Sequence, residues 1–270
     1  MGGVESYYDD KSPEYDLMFD TLYFAISDAI TWRHLEPYLP RRTDTKILDA
    51  AGGTGRWSIR MAKEGCHVTL LDISEQMLDV ARKKVEEEGL GHLIDIKKGE
   101  IRDTGYEDET FDMILCENAL FLFERPDEII REFSRMLKKG APLVVSVPNL
   151  YVQCICGLPC VDQPSPEKLD DVLKILLREK YGSMADEGDV KIYTWTPGEF
   201  RILLEENGFR VDRIVGKGAT MPLRLANEVT MARDYSEELF TKLLQLEIQL
   251  CERPDSLALA GHLQAVARRL

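Results

Sequence analysis

The sequence predicts an α/β fold, a mostly parallel sheet covered by helices on both faces. Two observations carry this. Short runs that are apolar on both sides alternate with helix-length segments from Lys46 to Val147, the pattern of buried parallel strands joined by crossover helices. The first run also ends in a glycine-rich turn, ILDAAGGTGRW, that leads straight into a helical pattern.

The elements follow in order. Leu22 to Leu39 has apolar residues at helical spacing and stops at Pro40. Strands are expected at Lys46–Asp49, His67–Leu71, Leu93–Lys97, Phe111–Leu115, Leu143–Val147 and Phe209–Val215, with His262–Arg269 as a last one. Helices are expected at Arg56–Glu64, from an N-cap at Ser74 to Glu88, and at Arg125–Lys139. From Pro148 to Tyr193 the alternation breaks into a Cys- and Pro-rich loop and a helix over about Glu167–Glu179, read as an insertion above the sheet. Thr196-Pro197-Gly198-Glu199 restarts the core as a capping box, and Ser236–Cys251 is a helix within a second insertion. The organisation is thus a helical cap segment (1–45), a cofactor-binding core (46–150), a lid insertion (151–195) and a completing segment (196–270) with a helical insertion at 221–260.

Composition narrows the partners. The 270 residues, 44% hydrophobic and 30% charged, are those of a soluble globular chain. A formal net charge of -14 and a pI near 4.9 argue against a nucleic-acid partner, which needs basic surface to displace phosphate counterions. The apolar runs are too short to span a bilayer. The acidic opening MGGVESYYDDKSPEYD is unlike a signal peptide, and six irregularly spaced cysteines read as thiols of a reducing cytoplasm. Cys154, Cys156 and Cys160 have a C-x-C-x3-C spacing that suits a metalloid or a structural metal, but no further Cys or His ligands follow nearby. They are read as lid thiols, and no metal is assigned.

Four strand ends carry polar or glycine-rich material, where ligands of open α/β sheets bind: Asp49–Gly55, Asp72, Gly99-Glu100 and Cys116-Glu117-Asn118. Glycines let backbone reach positive φ and let a ligand lie against bare main chain, and the helix N-terminus beyond them supplies free N–H groups. Asp72, 17 residues past Gly55, suits a ribose diol, because two carboxylate oxygens accept from two vicinal hydroxyls. An NAD enzyme would fit that too. The dinucleotide fingerprint is incomplete, however, since Ser58 stands where its third glycine is needed, and Asp49 puts a carboxylate where a pyrophosphate requires donors. A ligand with a cationic end fits better.

ILDAAGGTGRW, VTLLDIS, GEI, FDMILCENAL and RMLKKGAPLVVSVPN, in this order, resemble the strand-end motifs of class I S-adenosylmethionine-dependent methyltransferases, in particular the small-molecule group that includes the quinone-biosynthesis enzymes. The resemblance covers Lys46 to about Asn149, with Thr196–Val215 and His262–Arg269 as the closing helix and antiparallel hairpin. It implies a Rossmann-like, doubly wound, seven-stranded sheet with an antiparallel last strand and helical lid insertions. It implies S-adenosyl-L-methionine as cofactor. Asp49 would hold the methionine ammonium, and Ala51, Gly53 and Gly55 would admit the backbone's approach. Asp72 would bind the ribose, Ile73 and Met77 would pack on the adenine, and Glu100 and the Ile101 amide would read its edge. The Cys116 region would pass under the methionine, and Tyr15 would close over from the N-terminal segment. Ala51 departs from the family, which usually has Gly there; Glu100 replaces a commoner Asp.

The implied activity is transfer of a methyl group to a small-molecule acceptor by in-line displacement. The alternatives are a methyltransferase acting on protein or tRNA, or a non-catalytic S-adenosylmethionine-binding protein. No catalytic residue is assigned, because a base is needed only if the acceptor must lose a proton first. Glu117, Asn118 and Tyr15 are the candidates, with Asn149, Tyr7 and Tyr8 also near the acceptor side and His34 expected on a helix surface. The chain is expected as a monomer or homodimer.

Overall fold

Ile47–Ala50, buried along its whole length, forms the central strand β1 of the computed structural model, which describes residues 2–12, 14–40, 44–156, 165–177, 182–183, 191–220 and 233–270. β2 (Val68–Asp72) and β3 (Ile94–Lys98) lie parallel on one side of it, β4 (Met113–Cys116) and β5 (Pro142–Pro148) on the other. Within the lid region, β6 (Gly182–Ser183) and β7 (Lys191–Ile192) make a separate two-stranded ribbon. β8 (Phe209–Lys217) and β9 (His262–Arg269) complete a seven-stranded sheet of order β3-β2-β1-β4-β5-β9-β8, and β9 is antiparallel to both its neighbours. The expected mostly parallel, seven-stranded sheet with an antiparallel last strand is therefore present. The order reverses between β1 and β4, which places the switch-point crevice at the ends of those strands.

Helices α1 (Gly2–Lys11), α2 (Leu22–Leu35), α3 (Arg56–Lys63) and α4 (Glu75–Glu87) precede or connect the first strands. Helix α5 (Pro126–Met136) links β4 to β5, and α6 (Leu150–Cys156) and α7 (Pro166–Leu176) follow in the lid region. α8 (Pro197–Glu205) and α9 (Glu237–Cys251) flank β8 in sequence. Strand alternation divides the core. Leu48, Ala50, Ile114 and Cys116 face α5 and α8, whereas Ile47, Val68, Met113 and Leu115 face α2 and α3. Burial of both faces is what makes these strands read as unbroken apolar runs.

The helix signals act as expected. The Ser74 hydroxyl accepts from the Met77 amide at 3.1 Å and opens α4, and Thr196 and Glu199 form a reciprocal capping box on α8. Two further features concern the N-terminal segment and the one histidine of α2. The Tyr- and Asp-rich start is helical from Gly2, although it lacks an apolar stripe, because polar ties hold it: the Ser74 hydroxyl donates to Asp9 at 2.5 Å, and Lys98 pairs with Glu5 at 2.9 Å. His34 is not on a helix surface. It is 2% exposed on the inner side of α2, with the Cys251 sulfur 3.6 Å from Nε2 and Arg213 3.5 Å from Nδ1, and burial pushes its pKa down to about 4. Of the three cysteines at 154–160, Cys154 is buried and in no disulfide, while the Cys156 side chain and all of Cys160 lie outside the described residues. Among the described residues no three His, Cys, Asp or Glu side chains gather as a metal site, and no helix is long and apolar enough to cross a membrane.

Candidate functional site

The loop after β1 is shaped by close approach. A side chain on Gly52 would sit 2.8 Å from an Asp49 carboxylate oxygen, so only glycine lets the loop fold back over that acid. Ala51 adopts φ +61, a left-handed conformation that costs an L-residue roughly 1–2 kcal/mol. The position where the resemblance calls for Gly therefore has the backbone geometry that favours Gly. Gly53 and Gly55 also have positive φ, and Gly55 forms the N-cap of α3.

Asp49 is 1% exposed and accepts from the Ser58 hydroxyl at 2.6 Å; burial raises its pKa to about 6. Asp72, at the tip of β2, accepts from the Gly53 amide at 2.8 Å and the Ser74 amide at 2.9 Å, and burial again raises its carboxyl above the ordinary range. The two acids thus stand on adjacent strands with the glycine loop strapped between them. Ile73, Gly99, Glu100 and Ile101 line a cavity of about 270 Å³ with Ala51 and Leu122. Glu100 is ion-paired with Arg102. A smaller cavity of about 60 Å³ continues past Ala51 and Ile73 to Gly53, Asp72, Met77 and Glu117. Tyr8 and Tyr15 of the N-terminal segment line this second cavity as well, so that segment closes over the glycine loop. It is pinned there by Asp16, which accepts from Thr54 at 2.6 Å and from Lys84 at 2.8 Å.

Beyond Tyr8 and Tyr15 lies a third cavity, about 380 Å³ and mainly aromatic, walled by these tyrosines, Phe19, Phe24 and Phe121. Its rings touch edge to face in series, Tyr7 to Tyr8 to Tyr15 to Phe19 to Phe24, at centroid separations of 5.0–5.9 Å. The tyrosines therefore both pack the N-terminal segment against itself and line the cavity. Asn118, in the left-handed region at φ +57, lines this cavity and the smaller one.

Of the residues singled out from the sequence, Ala51, Gly53, Asp72, Ile73, Met77, Glu100, Ile101, Glu117, Asn118 and Tyr15 line these connected cavities. Cys116 does not. Its side chain is fully buried toward α5, where burial raises its thiol pKa, so only its backbone can reach a ligand. Asn149 is also withdrawn, its amide donating to the Leu257 carbonyl at 2.7 Å. Two residues escaped sequence reasoning. Lys217 on β8 is wholly buried and ion-paired with Glu117, and His262, opposite it on β9, lines the aromatic cavity. A lysine ending an apolar strand pattern was the available signal for the first; for His262 there was none without the β8–β9 register.

Residues 47–140 match the methyltransferase domain family. The chain is 31% identical over 147 residues to the ubiquinone/menaquinone biosynthesis C-methyltransferase of Ruegeria sp., covering 53% of this chain and 58% of the relative. It is 34% identical over 154 residues to the demethylmenaquinone methyltransferase of Listeria monocytogenes, covering 54% and 64%. The chain thus spans about three-fifths of the length of these relatives. Among solved structures, an S-adenosylmethionine-dependent methyltransferase from Mesorhizobium loti superposes with a TM-score of 0.59 at 20% identity, over 90% of this chain and 100% of that one. Geranyl diphosphate C-methyltransferase from Streptomyces coelicolor gives 0.56 at 16%, over 90% and 79%. At those identities the likeness is one of fold. Together with the matched motifs, these findings make the chain similar to the class I S-adenosylmethionine-dependent methyltransferases, with residues 47–140 matching a methyltransferase domain and the fold matching theirs. Within that class the sequence is similar to the quinone C-methyltransferases.

Proposed function

We propose that the chain binds S-adenosyl-L-methionine across the ends of β1–β4 and transfers its methyl group to a small-molecule acceptor in the aromatic cavity. The observation that carries this is adjacency: the smaller cavity, which shares Ala51 and Ile73 with the larger one, shares Tyr8, Tyr15 and Asn118 with the aromatic one as a common wall. The donor set fits the cofactor. Asp49 offers a buried carboxylate to an ammonium group, Asp72 two oxygens to a diol, and Glu100 with the Ile101 amide a polar edge beside the apolar Ile73 and Met77.

When bound, the cofactor supplies a methyl group already activated on a sulfonium. The residues of this chain have to orient the reactants and exclude water. Tyr8 and Tyr15 cover the glycine loop, and the aromatic walls hold a flat or apolar acceptor against it. Glu117 is engaged in an ion pair with the buried Lys217, so it is not assigned as a base. The net charge of -14 favours a small molecule over nucleic acid, and Cys66, Cys116, Cys154 and Cys251, none of them in a disulfide, suit a reducing cytoplasm.

Calorimetry with S-adenosylhomocysteine tests binding, and incubation with labelled cofactor plus a quinol-containing lipid extract tests transfer. Binding with a labelled small product supports the proposal. Binding with label on protein or tRNA, or with no product, assigns one of the alternative roles. No binding rejects the reading.

A further inference from the structure

The aromatic cavity has few polar groups. Lys11 and Glu14 border it, but both are exposed; apart from the hydroxyl-bearing Tyr7, Tyr8 and Tyr15, the inner polar residues are Asn118 and His262. His262 is placed by the antiparallel register that sets it opposite Pro148 on β5 and Lys217 on β8. Its Nδ1 lies 3.3 Å from the hydroxyl of Tyr23, a residue of α2 that is 7% exposed. Tyr23 is itself packed edge to face on Phe24 at 5.0 Å, another wall of the cavity. The imidazole is therefore fixed by one nitrogen, and no described residue bonds the other.

Resting on the function proposed above, we infer that His262 is a specificity-determining contact, presenting Nε2 to an oxygen of an uncharged aromatic acceptor while Tyr23 holds the ring in place.

The surroundings set what that nitrogen can recognise. Burial and the positive charge of Lys217 push the His262 pKa down to about 3, so the ring is neutral at physiological pH. A neutral imidazole is a single donor or a single acceptor at Nε2, depending on which way Tyr23 shares its proton. It therefore matches a phenolic hydroxyl or a carbonyl. An imidazolium would instead call for a carboxylate or phosphate. Lys217 does not supply that attraction either, because Glu117 neutralises it and it has no exposed surface. Apolar walls reward planar rings by burial alone, which separates large acceptors from small ones but cannot detect oxygen. A fixed buried polar atom can, since an acceptor lacking the oxygen leaves it unpaired.

The test uses the full chain loaded with S-adenosylhomocysteine, and naphthalene, 1-naphthol and 1-naphthoate as probes of equal ring size. Loading is checked first by calorimetry, so failure of the cofactor reading is seen separately. The wild type is expected to bind 1-naphthol about tenfold more tightly than naphthalene, the worth of one ordinary hydrogen bond, and to bind 1-naphthoate more weakly than 1-naphthol. In His262→Phe the naphthol preference should vanish with cofactor affinity unchanged, and Tyr23→Phe should lose part of it. Nitrogen-15 imidazole spectra of the unaltered protein give a readout independent of any variant: the His262 Nε2 signal should move with 1-naphthol and stay with naphthalene. A naphthol preference that survives in His262→Phe, an unmoved Nε2 signal, tighter binding of the carboxylate, or no naphthol binding to loaded protein would each overturn the inference.

Discussion

The Asp72 carboxylate accepts the Gly53 amide hydrogen at 2.8 Å, so the tip of β2 is bonded directly to the glycine loop of β1. Asp72 accordingly has two tasks, holding the loop and, in the proposed function, gripping the ribose hydroxyls. Replacing it by Ala removes two charge-assisted hydrogen bonds to ligand, each worth about 1.5–3 kcal/mol. Asp72→Ala should weaken S-adenosylhomocysteine binding by about a hundredfold or more in calorimetry. Asp72→Asn keeps an oxygen for the Gly53 amide and should fall in between. Wild-type affinity in the Ala variant would disprove the assignment.

In the proposed function, Asp49 should make cofactor affinity depend on pH. Its carboxyl titrates near 6 in the ligand-free protein, against an ordinary value of 3.8. Below pH 6 it takes up a proton and loses its attraction for an ammonium group, so affinity should fall toward pH 5 by up to about tenfold per unit. Stability moves the other way for this one group. A folded pKa above the unfolded one means the native state binds more protons between 3.8 and 6, and the contribution of Asp49 to stability increases as pH falls through that window. Calorimetry from pH 7.5 to 5 on the wild type and Asp49→Asn checks the claim. The variant should bind more weakly at pH 7.5 and show a much flatter profile.

Ala51 holds a left-handed conformation at φ +61 in the loop that the ligand must approach. Ala51→Gly relieves the steric cost but gives the unfolded chain more freedom, and the two partly cancel. A net gain of about 0.5–1 kcal/mol in urea unfolding is expected. A loss of stability in the variant would show that the Ala51 methyl contributes more through packing than its backbone strain costs.

The sheet was legible because β1, β2, β4 and β5 are short, largely apolar runs, and the capping residues Ser74 and Thr196 sit where the chain stops pairing and starts coiling. The acids that the proposed function gives to the cofactor, Asp49, Asp72 and Glu100, lie at or just past strand ends, so local sequence specifies their place. The acceptor side in that proposal was legible only as far as Glu117, Asn118 and the N-terminal tyrosines. Its polar groups come from α2, β4, β8 and β9, and Glu117 meets Lys217 across 100 positions of sequence. Only the strand order and the β8–β9 register bring them together. His34 was misplaced because α2 is buried by contacts with α9 and β8, and nothing in its own spacing reveals them.

The Lys217–Glu117 pair offers the sharpest stability test. Lys217 has no exposed surface and the Glu117 side chain is 4% exposed; Thr31 accepts a second hydrogen bond from the ammonium at 3.3 Å. One carboxylate oxygen of Glu117 is buried without a partner among the described residues. Removing the lysine leaves that carboxylate charged in an apolar setting, and Lys217→Met should cost about 3–5 kcal/mol in urea unfolding at pH 7.5. Removing both charges removes that penalty, so Lys217→Met with Glu117→Gln should recover most of the loss. With the cation gone, His262 should also titrate at a higher pH than about 3, visible in its imidazole spectrum. If the double variant were as unstable as the single one and His262 were unmoved, neither the coupling of the pair nor its control of the imidazole would stand.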